Sequence, residues 1–332
     1  MNERRAMLWT YSVGHFFVDF ACAFLVLGCS RAGVPWQTAL LLYNFFAFAV
    51  QMPLGLLTDR FGNGRGFAAG GCLLVAAAGA LRQTPLLLCV VAGLGNALFH
   101  IGGGHDVLGG GDGRAGALGV FVSPGAFGLF LGGLLRTTAC PVWPVSAALL
   151  LCAAAILRLC PRTAGGGVSL RSGAARPPGA AALLVLVVCL RSYGGFLFRF
   201  PWKEGAWAWV FVLSVVLGKT AGGLLYDRFG GRKTAIGSLL PAAALFLFSD
   251  RPAAGCAAVL LFNMTMPVTL RAAADLFPRA RGFSFGLLTF ALFLGLLPAV
   301  LSLPAPSGAA AYAAVCLLSL AALLPALDRR RV

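Results

Sequence analysis

Twelve apolar runs, each near the length of a membrane-crossing helix, follow one another along this 332-residue chain with little between them. A helix needs about 20 apolar residues to cross the hydrocarbon core of a bilayer. Lipid also demands that every backbone N–H and C=O be satisfied within the protein, which a helix does by itself. On that ruler the first half carries spans at 6–29, 36–58, 66–82, 85–105, 115–136 and 141–159. The second half carries spans at 180–200, 205–226, 234–249, 252–275, 282–303 and 307–327. Charged residues make up 11% of the chain, against about a quarter in soluble domains, so most of its surface cannot face water. The expected fold is all-α, with twelve transmembrane helices.

The few charges are unevenly signed: 26 Lys and Arg against 10 acids, a net charge of +16. Nucleic acid would be one partner for such an excess, but no hydrophilic basic face exists to carry it. The positive-inside rule explains it instead. With the N-terminus cytoplasmic, that side collects Arg4, Arg5, Arg60, Arg65, Arg114, Arg158, Arg162, Arg171, Arg176, Arg228, Arg232, Lys233, Arg279, Arg281 and Arg329 to Arg331. The opposite loops hold Arg31, Arg82, Arg136, Lys203 and Arg251. Both termini are therefore expected in the cytoplasm, and the first apolar run, which contains His15 and Asp19, reads as an uncleaved helix rather than a signal peptide. The ten cysteines stand singly, mostly inside apolar runs, and read as small buried thiols.

One short phrase is written twice. Leu56 to Arg65 reads LLTDRFGNGR and Leu224 to Lys233 reads LLYDRFGGRK. Asp59 and Asp227 stand 227 − 59 = 168 residues apart, close to half the chain. At that offset Gly55 meets Gly223, Arg60 meets Arg228 and Gly62 meets Gly230, with Arg65 trailing one copy and Arg232 and Lys233 the other. Each copy follows the second span of its half. The sequence thus predicts two parallel six-helix halves with pseudo-two-fold symmetry, 1–160 and 180–332, joined by a Gly-, Pro- and Arg-rich cytoplasmic linker over 161–179. In each loop the Gly lets two helices approach closely, and the Asp can cap the positive N-terminus of another helix. The expected partners are the starts of span 11, near Arg281 and Gly282, and of span 5, near Arg114. The flanking Arg residues can tie the Asp down and bind anionic headgroups.

With twelve spans and these paired loops in place, the chain resembles the major facilitator superfamily, whose signature in the loop after the second helix is Gly, then Asp-Arg-x-Gly and basic residues. Two further stretches, GLGNALFHIGGG over 93–104 and FVSPGAFGLFLGG over 121–133, are similar to spans 4 and 5 of its fosmidomycin-resistance-like exporters, and the second also resembles the Gly-Pro motif of antiporters. One departure is that span 4 lacks the Arg often present in drug–proton antiporters. The resemblance implies a central cavity lined by spans 1, 4, 7 and 10, a monomer, and gating by the two Asp-Arg-x-Gly loops.

Ionisable groups inside a bilayer are costly and default to function. Span 1 carries His15 and Asp19 on one face, span 4 Asn96 and His100, span 7 Arg191, span 8 Lys219 and span 10 Asn263. His105 and Asp106 read as helix-end residues. Arg191 and Lys219 offer a cationic site for a carboxylate or phosphonate, and Asp19 with His15 or His100 can accept a proton. A bland alternative pairs Asp19 with Arg191 as a tie between the halves. The three histidines form no metal motif, so neither metal nor cofactor is expected, and no nucleophile and base converge to make an enzyme.

The expected function is a secondary transporter in a bacterial cytoplasmic membrane, exchanging protons for a small anionic or amphiphilic solute in the outward direction. Export of organic cations through Asp19, and a non-transporting sensor or scaffold, are the competing readings.

Overall fold

The structure, a computed structural model, describes residues 3–29, 33–110, 113–136, 138, 140–163, 168–170, 177, 179–304 and 306–328. Twelve helical rods run through them. The first six are α1 (Glu3–Gly28), α2 (Trp36–Phe61), α3 (Gly64–Leu81), α4 (Pro85–Gly110), α5 (Gly116–Leu135) and α6 (Trp143–Leu159). The second six are α7 (Ala180–Leu197), α8 (Gly205–Phe229), α9 (Gly231–Phe246), α10 (Pro252–Leu276), α11 (Arg281–Val300) and α12 (Ala309–Leu327). Ten are long and apolar enough to cross a membrane, and α6 is a shorter apolar helix. Large apolar side chains point outward along them, among them Trp143 and Leu151, each 72% exposed. That surface suits lipid and not water, as expected of an integral multi-pass membrane protein. Residues 164–167, 171–176 and 178 of the expected linker, with Arg31 and Arg329 to Arg331, lie outside the described residues.

The local exceptions to regular helix have chemical causes. Proline lacks the N–H that would bond the carbonyl four residues back. Before Pro53, α2 loosens into a π-helical turn over Phe45–Ala49, where Val50 N donates to Phe45 O. Before Pro267, α10 is interrupted at Met264, and the Asn263 carboxamide bonds back to Val259 O at 2.8 Å. Between α2 and α3, and again between α8 and α9, the chain reverses at Gly62 (φ 62°) and Gly230 (φ 81°). Only glycine adopts such values without strain, so the repeated phrase ends in Gly for a backbone reason.

By compactness the chain divides into two units. Unit 1 comprises Met1–Gly110, Pro124–Ser169 and Arg279–Phe290. Unit 2 comprises Gly111–Ser123, Leu170–Pro278 and Ala291–Val332. Helices α5 and α11 are each shared between the two, α5 changing unit at Pro124. Unit 1 is packed through small residues: a Cβ on Gly71 or Gly95 would strike the backbone of the facing helix, α4 or α3. This is how membrane helices approach closely without a hydrophobic driving force. Unit 2 is centred on an aromatic knot in which the Phe198 ring lies 4.6 Å from Phe246, 4.9 Å from Tyr312 and 5.2 Å from Phe262.

Candidate functional site: a buried polar cluster, a lone guanidinium and two capped helix starts

Within unit 1, helices α1 and α4 bring four polar side chains to one point. The i, i+4 spacing puts His15 and Asp19 on one face of α1 and Asn96 and His100 on one face of α4. His15 Nε2 lies 3.2 Å from Asp19 Oδ2 and 2.9 Å from His100 Nε2. His100 Nε2 is 3.7 Å from Asp19 Oδ1, and Asn96 Nδ2 donates to that same oxygen at 3.1 Å. All four residues are buried. Helix α5 closes the cluster with glycine: a Cβ on Gly125 would overlap His15 Nε2 and Asp19 Oδ2, and Gly128 and Gly132 continue the same stripe against the α1 backbone. The Gly-rich stretch after Pro124 thus serves to seat α5 directly on the polar atoms of α1.

Within unit 2, Arg191 of α7 is buried at 9% exposure and donates to Thr269 Oγ1 of α10 at 3.2 Å. No carboxylate among the described residues pairs with it. Lys219 of α8 sends its ammonium to Val122 O of α5 at 3.2 Å, so the two cations have separate partners. Asn263 is spent on its own helix at the α10 break. Helix α10 also carries an ion pair, Arg271 with Asp275, which the sequence reading passed over.

The paired loops make matching contacts. In unit 1, Asp59 accepts from Gly282 N at 2.8 Å and Phe283 N at 2.9 Å, the first amides of α11. In unit 2, Asp227 accepts from Ala115 N at 2.6 Å and Gly116 N at 2.9 Å, at the start of α5. Each carboxylate thus satisfies two orphan donors and sets a negative charge at a positive helix end. Gly55 and Gly223 lie against the same helix starts, and a Cβ on either would collide with backbone at Gly282 or Ala115. The partners repeat with nearly the period of the acids, 282 − 115 = 167 against 168. The basic residues differ between copies. Arg65 caps the C-terminal carbonyls of α6, Leu157 O and Cys160 O, both at 3.2 Å. Arg232 pairs with Asp328, Arg228 lies over the Phe229 ring, and Arg60 and Lys233 are exposed.

His105 and Asp106 require a correction. Helix α4 runs past the expected end at 105 to Gly110, and both side chains are buried, at 6% and 1% exposure. Asp106 accepts from Tyr11 OH at 2.6 Å and faces His105 Nδ1 at 2.9 Å. The Thr163 hydroxyl lies between Gly62 O (2.7 Å) and Asp106 Oδ1 (3.1 Å), sharing its one proton. His105 Nε2 stands 3.7 Å from Asp59 Oδ1, so the capped start of α11 is backed by a buried network reaching α1 and α4. The one available signal was the glycine run around these residues, too small in side chain to cover a helix end.

Twelve helices in this order, with the two Asp-capped helix starts, have the fold of the major facilitator transporters. Solved structures that share it include three transporters. The fucose:proton symporter of Escherichia coli superposes with a TM-score of 0.68 at 13% identity, over 99% of this chain and 98% of that one. A human organic anion transporter gives 0.71 at 17%, over 97% and 100%. A bacterial homologue of the iron transporter ferroportin, in an outward-facing state, gives 0.65 at 16%, over 98% of each. No protein-family model matches the sequence, and no curated protein matches it.

Proposed function

We propose that this protein is a secondary active transporter working by alternating access, which exports a small anionic or amphiphilic solute in exchange for protons. Arg191 carries the reading. A guanidinium held within a membrane-spanning helix is costly unless paired, and here its hydrogen-bond partner is a neutral hydroxyl. Its planar fork of donors fits a carboxylate or phosphonate. The proton is assigned to the His15–Asp19–His100 cluster, where one hydrogen can be shared among three acceptors. Asp59 and Asp227 act as gating contacts that form and break with the transport cycle. The human neighbour that carries organic anions and the bacterial neighbour that couples to protons as a symporter support an anionic solute and proton coupling; exchange in place of symport rests on the resemblance of α4 and α5 to the fosmidomycin-resistance-like exporters. We place the protein in a bacterial cytoplasmic membrane with both termini inside.

The test is thermal stabilisation in detergent across small carboxylates, phosphonates, organic cations and sugars, since a ligand of the native state must raise apparent stability. Stabilisation by an anion that disappears in Arg191→Ala supports the reading and supplies a substrate for proteoliposome flux under a pH gradient. Stabilisation by cations that persists in Arg191→Ala and disappears in Asp19→Asn replaces it with cation export.

A further inference from the structure

The hydrogen-bond geometry of the α1–α4 cluster fixes which atoms face its centre. His100 Nδ1 lies 2.9 Å from Asn96 O. A carbonyl only accepts, so Nδ1 carries the hydrogen, and the neutral ring must present the Nε2 lone pair to the cluster. Meeting that lone pair are His15 Nε2 at 2.9 Å and Asp19 Oδ1 at 3.7 Å, with 3.2 Å between His15 Nε2 and Asp19 Oδ2. One donor atom from each of the three residues can be chosen so that all lie within 4.8 Å of one another. Ligands bound at about 2.1 Å to one tetrahedral or octahedral ion sit roughly 3.0–3.4 Å apart, so the observed spacings bracket those of a coordination shell.

The surroundings are those of a metal site as well. A ligating imidazole characteristically donates its other N–H to a carbonyl, and a ligating carboxylate is itself hydrogen-bonded. His100 does the first through Asn96 O, and Asp19 the second through Asn96 Nδ2. Asn96 Oδ1, in a residue only 1% exposed, has no hydrogen-bond partner among the described residues. Independently, Gly125 lets the α5 backbone pack directly on His15 Nε2 and Asp19 Oδ2, so that no side chain displaces the two donor atoms.

We propose that His15, Asp19 and His100 bind a first-row divalent transition-metal cation, of the Fe²⁺, Co²⁺, Ni²⁺ and Zn²⁺ class. Two imidazole nitrogens and one carboxylate oxygen suit these borderline ions. Mg²⁺ and Ca²⁺ prefer all-oxygen sets, and Cu(I) prefers sulfur. The site goes beyond the transport reading and does not depend on it, because binding is measured without flux and without the anion.

The experiment uses full-length protein without a polyhistidine tag, purified in detergent, stripped with chelator and titrated with Co²⁺. Expected are one saturable Co²⁺ per chain by calorimetry, a visible d–d band of nitrogen and oxygen ligation, and a raised melting temperature. Affinity falls by more than tenfold in His15→Gln, His100→Gln and Asp19→Asn. It falls also in Gly125→Ala, which keeps every ligand but pushes His15 Nε2 and Asp19 Oδ2 out of place. Variants are compared only where circular dichroism and gel filtration match wild type. Gly125→Ala, which removes no polar group, keeps the test available if a ligand variant does not fold. Three results would overturn the proposal: no saturable binding, leaving the cluster a proton site only; a thiolate charge-transfer band placing the metal on cysteine; or equal stabilisation by Mg²⁺.

Discussion

Arg191 and Asp59 show how much one side chain decides here. Arg191→Lys keeps the charge and loses the fork of donors, so it should retain anion stabilisation only weakly, whereas Arg191→Ala should lose it and raise the apo melting temperature. Removing an unpaired buried charge relieves a desolvation cost, and a lower apo melting temperature would mean that Arg191 is held in a structural pair. Asp59 and Asp227 make the same two bonds, but Asp59 is buried at 8% while Asp227 is exposed. Capping interactions contribute about 0.5–2 kcal/mol, with the upper end expected where water cannot substitute. Asp59→Asn should therefore lower the melting temperature clearly more than Asp227→Asn. Equal shifts would show that the network of His105 and Asp106 behind Asp59 adds nothing. Tyr11→Phe probes that network directly. It leaves Asp106 Oδ2 without its 2.6 Å donor and should cost about 1–3 kcal/mol, read as a fall in melting temperature.

At the scale of elements, the irregular turns of α2 and α10 coincide with polar residues at membrane depth. Pro267→Ala restores the N–H that could bond Asn263 O and close the α10 break. An alanine is favoured over proline in a helix interior by up to about 3 kcal/mol, so the melting temperature should rise. If the break lets α10 flex during transport, flux falls in the same variant. A lowered melting temperature would instead mean that the packing of Gly222 against Met264 holds the break in place. Helix α5 shows the complementary device: its Pro124 is followed by a glycine stripe whose members contact His15, Phe16 and Phe20, so its register on α1 is set by backbone contact.

At the scale of the whole molecule, the arginine asymmetry predicts the sidedness of every loop. Cys140, between α5 and α6, is the one exposed thiol of the ten, Cys189 being half-buried. With both termini cytoplasmic it faces outward. A membrane-impermeant maleimide applied to intact cells should label the protein at Cys140, and Cys140→Ser should remove most of that label. Labelling only after the cells are opened would invert the topology.

The sequence alone determined the number and order of the helices, because the length of an apolar run against bilayer thickness is a one-dimensional quantity. It determined the glycines of the reversals too, since Gly62 and Gly230 answer to local backbone angles, and it pointed Asp59 and Asp227 toward helix starts through the repeat itself. What it could not carry was the rotation of one helix against another. Depth along the span favoured His100 over His105 as the partner of Asp19, but nothing one-dimensional says that His100 also meets His15 edge to edge, or that α4 continues far enough to bury Asp106 under Tyr11. Those outcomes follow from the glycines that let α3 and α4 meet backbone to backbone and α5 lie on α1, and close packing of backbones is settled only when all the helices are assembled.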